Sequence, residues 1–154
     1  MKCFNLVNIE VIGTVSSPVT EGVDEDWGSV VSEIRLNEKY VSGLRGLEEF
    51  SHVLVLFYMH KYSFDPDADL VRRPQGRPDM PLTGVFAQRA KHRPNPIGVT
   101  AVELLKVKGD TLVVRGLDAI DGTPVLDVKP YFPAFDRREA NTPSWVDELM
   151  KNYF

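Results

Sequence analysis

Fifteen residues, Gly84 to Gly98 (GVFAQRAKHRPNPIG), gather two arginines four positions apart, Arg89 and Arg93, with Lys91, His92 and Asn95 around a proline-stiffened turn. Pro94 and Pro96 fix the backbone on either side of Asn95, so its amide is restrained before a ligand arrives and the ordering cost of binding falls. An amide held in this way suits a base edge or a carboxylate, and the guanidinium of Arg93 beside it suits a carboxylate through two parallel hydrogen bonds. Upstream lie Arg72, Arg73 and Arg77. From Val71 to Arg93 six basic residues face the single acid Asp79, a local charge of +5 that leaves −9 for the rest of a chain whose formal charge is −4. A basic stretch on an acidic protein is the footprint expected for phosphate or nucleic acid. His60 and Lys61 stand where an apolar run ends, and Asp118 interrupts the otherwise apolar Leu117–Ile120. An acid there suits a ribose or an ammonium group. Asp121, followed by Gly122, is explained as a turn residue.

Other chemistries lack their residues. No G-x-G-x-x-G or G-x-x-x-x-G-K-[ST] pattern exists, so neither a Rossmann nor a P-loop nucleotide site is available. His52, His60, His92 and Cys3 never approach metal-ligand spacing, and no metal site is expected. Ser16, Ser17 and Ser51 lack the context of a nucleophile elbow. Cys3 is the one cysteine, which excludes an internal disulfide and fits a reducing cytoplasm. The longest apolar run, Val53–Met59, is far short of the roughly 20 residues of a membrane span.

The elements that must position these residues read mainly as strands. Ile9–Val15 and Ser29–Leu36 are β-branched and closed by turn residues, while Asn37–Glu49 is weakly helical and broken at Gly43 and Gly46. His52–Met59 (HVLVLFYM) has the continuous apolar pattern of a strand buried on both faces. Residues 60–83 carry Pro66, Pro74, Pro78 and Pro81 and no periodicity, which predicts a long basic loop. Val85–Gln88 reads as a strand and Arg93–Gly98 as a stiff extended segment. Val99–Val107, Thr111–Arg115, Leu117–Ile120 and Thr123–Val128 follow with turns at Lys108–Asp110 and Asp121–Gly122, the expectation being an antiparallel meander with an Asp-Gly hairpin. Thr142 before Pro143 predicts an N-cap, and the spacing of Trp145 with Leu149 and Val146 with Met150 predicts a closing helix over about 143–152. The fold expected is mostly β: a single domain over 1–154, an antiparallel β-barrel with short peripheral helices and no Rossmann sheet.

Four segments together carry a family signature: IGTVSSP, GLEEFSHVLVLFYMHK, GVFAQRAKHRPNPIG and LDAIDGTPVLDVKPY. In these the sequence resembles the TrmO family, also called TsaA-like or YaeB-like, tRNA methyltransferases that act on N6 of threonylcarbamoyladenosine next to the anticodon. The resemblance implies a non-Rossmann β-barrel that binds S-adenosylmethionine and works as a homodimer. It implies a cofactor pocket drawn from Asp26, Trp27, Gly28, His60, Lys61, Arg89, Val99, Leu117 and Asp118. The sequence ends at Phe154 without the further C-terminal region of longer bacterial members; if that region helps grip tRNA, the expectation is another means of gripping it or reliance on a partner.

That chemistry assigns roles. An N6 nitrogen already acylated by threonylcarbamoyl is a poor nucleophile until its proton is removed or polarised, and Asp118 or His60 is the candidate base. Arg93 with Asn95 would take the threonine carboxylate. An anticodon loop is single-stranded, so recognition would use phosphate contacts, from Arg72, Arg73, Arg77 and Lys91, and stacking, from Tyr58, Tyr62 and Phe64. Two rival readings are a non-catalytic S-adenosylmethionine sensor, which needs no basic loop, and a bare RNA-binding barrel, which needs neither Asp118 nor His60.

Overall fold

The computed structural model describes residues 5–154, so Cys3 lies outside the described residues. Eight strands form: β1 (Gly13–Ser16), β2 (Val31–Leu36), β3 (His52–Tyr58), β4 (Val71–Arg72), β5 (Thr83–Gly84), β6 (Ile97–Lys108), β7 (Thr111–Arg115) and β8 (Pro124–Pro130). Three short helices accompany them: α1 (Pro66–Asp69), α2 (Pro133–Asp136) and α3 (Ser144–Met150). Six strands close into an antiparallel barrel in the order β1-β2-β7-β6-β3-β8, and β4 with β5 makes a separate two-stranded ribbon. The mostly-β, barrel-forming reading therefore holds.

Period-two alternation fills the barrel. Val15, Ile34, Val53, Val55, Val102, Leu112, Val114 and Val125 are fully buried and point inward from six different strands. Removing that area from water is the main force holding the barrel closed. β3 lies between β6 and β8. It buries Val53, Val55 and Phe57, while Leu54 and Leu56 stay half-exposed on the outer face. The expectation of a strand buried on both faces is corrected: one face of a barrel strand meets the core and the other has no covering layer. Register shifts between Leu56 and Phe57 and between Leu104 and Lys106 add the local twist that lets the sheet curl shut.

Several expected elements differ. Of the strands expected in the meander, β6 and β7 form a hairpin with its turn at Gly109–Asp110; β8 returns across the barrel to pair with β3 and β1, so the strands are not a meander. Leu117–Ile120 is not a strand, although Leu117, Ala119 and Ile120 are buried. With no strand before it, Asp121–Gly122 is a turn into β8 rather than a hairpin, and the Asp121 carboxylate accepts the Ser17 N–H. Val85–Ala87 is a 3₁₀ turn, because Phe86 has no inward neighbour and remains 80% exposed while Val85 is buried. β1 begins at Gly13, since Ile9 and Val11 find no core to enter and stay exposed. The closing helix runs from Ser144 to Met150, with Pro143 rather than Thr142 at the N-cap. Residues 60–83, expected to be structureless, contain α1, β4, a 3₁₀ turn at Pro74–Gly76 and the start of β5. Among the described residues no helix is long and apolar enough to cross a membrane.

Candidate functional site

Asp118 follows the buried Leu117 at the barrel margin, so its side chain is held by a fixed backbone. One carboxylate oxygen accepts the hydroxyl of Thr100, a buried residue of β6, and the other accepts the phenol of Tyr153 at 2.5 Å. Val99, one position earlier on β6, alternates outward, and its carbonyl accepts from the Arg89 guanidinium. Arg89, Val99, Thr100 and Asp118 are thus gathered along one margin of β6.

The segment Asp26–Gly28 joins the same place through the strap Lys151–Phe154. The Asp26 N–H donates to the Asn152 carbonyl at 2.9 Å and the Trp27 N–H to the Tyr153 carbonyl at 2.8 Å. A Cβ on Gly28 would lie 2.7 Å from the carbonyl carbon of Phe154, so only glycine permits this approach. Trp27 is buried and donates its indole N–H to the Val23 carbonyl. Asp26 adopts a left-handed conformation, φ 62°, a strained state for a residue with a side chain. Burial, then the negative charge of Asp118, pushes the Tyr153 phenol far above its usual 10. Tyr153 is a neutral donor throughout the physiological range.

His60 and Lys61 form the turn that leaves β3. The Nδ1 atom of His60 is buried with no hydrogen-bond partner, whereas Lys61 is exposed. No hydrogen bond links either to Asp118. The RPNPIG segment leads into β6, where Gly98 faces Phe57 of β3. A Cβ there would collide with the Phe57 ring, which accounts for this glycine by packing.

Most of the nominated substrate cations hold the basic loop together. Arg72 pairs with the buried Asp69 at 2.9 Å, and Arg73 donates to the Met80 carbonyl. Arg77 binds Asp79 through two nitrogens, at 3.0 and 2.6 Å, with Glu148 at 3.8 Å. Arg93 donates to the Gln88 and Ala90 carbonyls at 2.9 and 3.3 Å. Asn95 is exposed. The Lys91 ammonium sits 4.6 Å from the Tyr62 ring centre, and that ring meets His92 edge-on. Tyr58 is 40% exposed on β3. Phe64 is half-buried. Asp69, hydrogen-bonded by the Asp65 N–H and facing His92 and Arg72, has its carboxyl held below the usual carboxylate range.

Thr100 and Tyr153 are the members of the site that sequence reasoning missed. Thr100 left a signal, a polar side chain at an inward position of an alternating strand. Tyr153 left none, being 35 residues from Asp118 and beyond the helix pattern. Among the described residues no cluster of three His, Cys, Asp or Glu side chains is placed to hold a metal ion.

A small closed barrel without strand-helix alternation, bearing a carboxylate between two hydroxyl donors and a loop dense in arginine, defines a non-Rossmann barrel domain. Residues 23–137 match the family described as the tRNA-methyltransferase O N-terminal domain, and the chain belongs to that family. It is 40% identical over 134 residues to a probable S-adenosyl-L-methionine-binding protein of Methanothermobacter thermautotrophicus, a match covering 84% of this chain and 93% of that protein. It is 50% identical over 93 residues to a mouse (Mus musculus) tRNA (adenine(37)-N6)-methyltransferase, covering 60% of this chain but 21% of the relative. The crystal structure of TrmO from Pseudomonas aeruginosa superposes with a TM-score of 0.71 at 31% identity, covering 90% of this chain and 62% of that one. The chain therefore spans under two thirds of the solved structure it resembles.

Proposed function

We propose that the chain is an S-adenosylmethionine-dependent tRNA methyltransferase that methylates N6 of threonylcarbamoyladenosine beside the anticodon, as a homodimer in the cytoplasm. The observation that carries the reading is the family match over 23–137, which contains the carboxylate of Asp118 and the cationic loop from Arg72 to Arg93. The donor set fits the cofactor: a carboxylate for hydroxyl or ammonium groups, an unpartnered imidazole nitrogen on His60, backbone amides at Asp26 and Trp27, and the exposed Arg89. Asp26–Gly28, His60, Lys61, Arg89, Val99, Leu117 and Asp118 would hold it. When bound, the cofactor supplies a methyl group activated by a sulfonium.

The chain's own part is alignment, exclusion of water and removal of a proton from N6. Asp118 can accept that proton on a carboxylate oxygen once one of its hydroxyl donors turns away, and His60 can accept it on its free Nδ1. Arg93 and the exposed Asn95, two positions apart in the chain, would take the threonine carboxylate. Lys91 and Tyr62 offer a charge and a ring to the anticodon loop. On the outer face Tyr58 pairs with Ile97, and these with Val99 give a second copy an exposed apolar surface to bury.

Two measurements test the reading together: calorimetry with S-adenosylmethionine, and transfer of its labelled methyl group to bulk tRNA. Binding with transfer is the expected result. Binding without transfer to any tRNA would favour the sensor, and no binding would favour the RNA-binding barrel.

A further inference from the structure

The polar groups on one side of the candidate cofactor pocket are already in use. Asn152 takes the Asp26 amide, Tyr153 takes the Trp27 amide and one Asp118 oxygen, and Thr100 takes the other oxygen. The Phe154 backbone lies against Gly28 at a distance that leaves no room for a third group. All of these contacts but that of Thr100 on β6 come from one short piece of chain beyond α3. It inserts the half-buried Tyr153, which presents a planar ring and a hydroxyl, groups that a nucleoside also carries. An open cleft of about 490 Å³ adjoins it, lined by Asp24, Gln75, Arg77, Glu148, Lys151 and Asn152, into which displaced chain can move.

We propose that the strap Lys151–Phe154 is an intramolecular competitor of the nucleoside-bearing ligand, with Tyr153 seated on Asp118 in the closed state and withdrawn when the ligand enters. The inference rests on the cofactor reading above. A ligand that uses Asp26–Gly28 and Asp118 must take the amides and the carboxylate from the strap, so the two occupancies exclude each other. A strap closed nine parts in ten weakens apparent binding about tenfold. Burial and the Asp118 charge keep the Tyr153 proton in place, so the latch does not open with pH in the physiological range.

The test uses the full chain carrying 3-fluorotyrosine, with the resonance of residue 153 assigned by its loss in Tyr153→Phe. S-adenosylmethionine should move this signal to an exposed position, and Tyr153→Ala should bind it roughly tenfold more tightly. Tyr153→Phe, which keeps the ring and loses only the phenol, should lie between and guards against a failure of Tyr153→Ala to fold. Equal affinities with an unmoved signal would overturn the inference while leaving cofactor binding itself standing, held by residues other than the Asp26 and Trp27 amides and the Asp118 carboxylate. Absence of binding in folded wild type and in both variants would overturn the cofactor reading and the inference with it.

Discussion

Asp118 and His60 compete for the same chemical task with different equipment. Asp118 is held by Thr100 and Tyr153, whereas the His60 Nδ1 atom is buried and holds nothing. If Asp118 is the base, Asp118→Asn lowers the single-turnover rate of methyl transfer at saturating S-adenosylmethionine by about 10²- to 10⁴-fold, while His60→Gln, whose loss falls on cofactor affinity, leaves that saturated rate within a few fold. The reverse pattern in the same assay would make His60 the base. Tyr153 makes a separate prediction. Its phenol stays protonated in the folded chain well past pH 10, whereas in the unfolded chain it ionises near 10, so its contribution to stability is present below pH 10 and lost as pH rises beyond it. Ultraviolet titration should show one of the five tyrosines ionising above the usual range, as the strap opens or the chain unfolds, a step absent in Tyr153→Phe. Five independent transitions near pH 10 would contradict the buried hydrogen bond. Asp118 was legible in the sequence because an acid inside L-D-A-I has no structural excuse. Its partners were not, since nothing local announces a contact between positions 118 and 153.

The basic loop changes most between sequence and structure. Prolines correctly exclude a long helix or a central strand, yet the segment is built rather than loose. Asp65 caps α1, Asp69 pairs with Arg72, and the buried amide of Gln88 donates to the Arg72 and Thr83 carbonyls at 2.7 and 3.1 Å. Charge density alone nominated Arg72, Arg73 and Arg77 for phosphate. The structure gives each an internal partner, because the loop buries only a few apolar side chains, Pro74, Met80 and Val85, and its turns are bridged by polar ones. Gln88→Ala should therefore cost about 1–3 kcal/mol by leaving those buried carbonyls unpaired, and should speed limited proteolysis between Asp65 and Thr83. Unchanged protection there would show that the ribbon β4–β5 holds the loop without Gln88. The depressed carboxyl of Asp69 adds that the loop's pairing is present above the ordinary carboxylate range and is lost as pH falls through and below it.

For the whole molecule, β2, β3, β6 and β7 were readable as strands from β-branched and aromatic runs bounded by turn residues, whereas the one-sided burial of β3 was hidden by its continuous apolar run. The closure was not. β8 joins β1 across more than a hundred residues, and no turn signal encodes a pairing that distant. Lys-Gly-Asp did mark its hairpin, while Asp-Gly marked only a turn, since the same dipeptide serves both and the preceding segment decides. The chain belongs to the tRNA-methyltransferase O N-terminal domain family, and the activity proposed for it is transfer of a methyl group to an already modified adenosine. The most direct test supplies labelled S-adenosylmethionine with two tRNA preparations, one carrying threonylcarbamoyladenosine and one an unmodified transcript, and resolves the products as nucleosides. Label found as N6-methylated threonylcarbamoyladenosine in the modified tRNA alone is the predicted result. Label in the unmodified transcript, or in neither while the cofactor still binds, would contradict it.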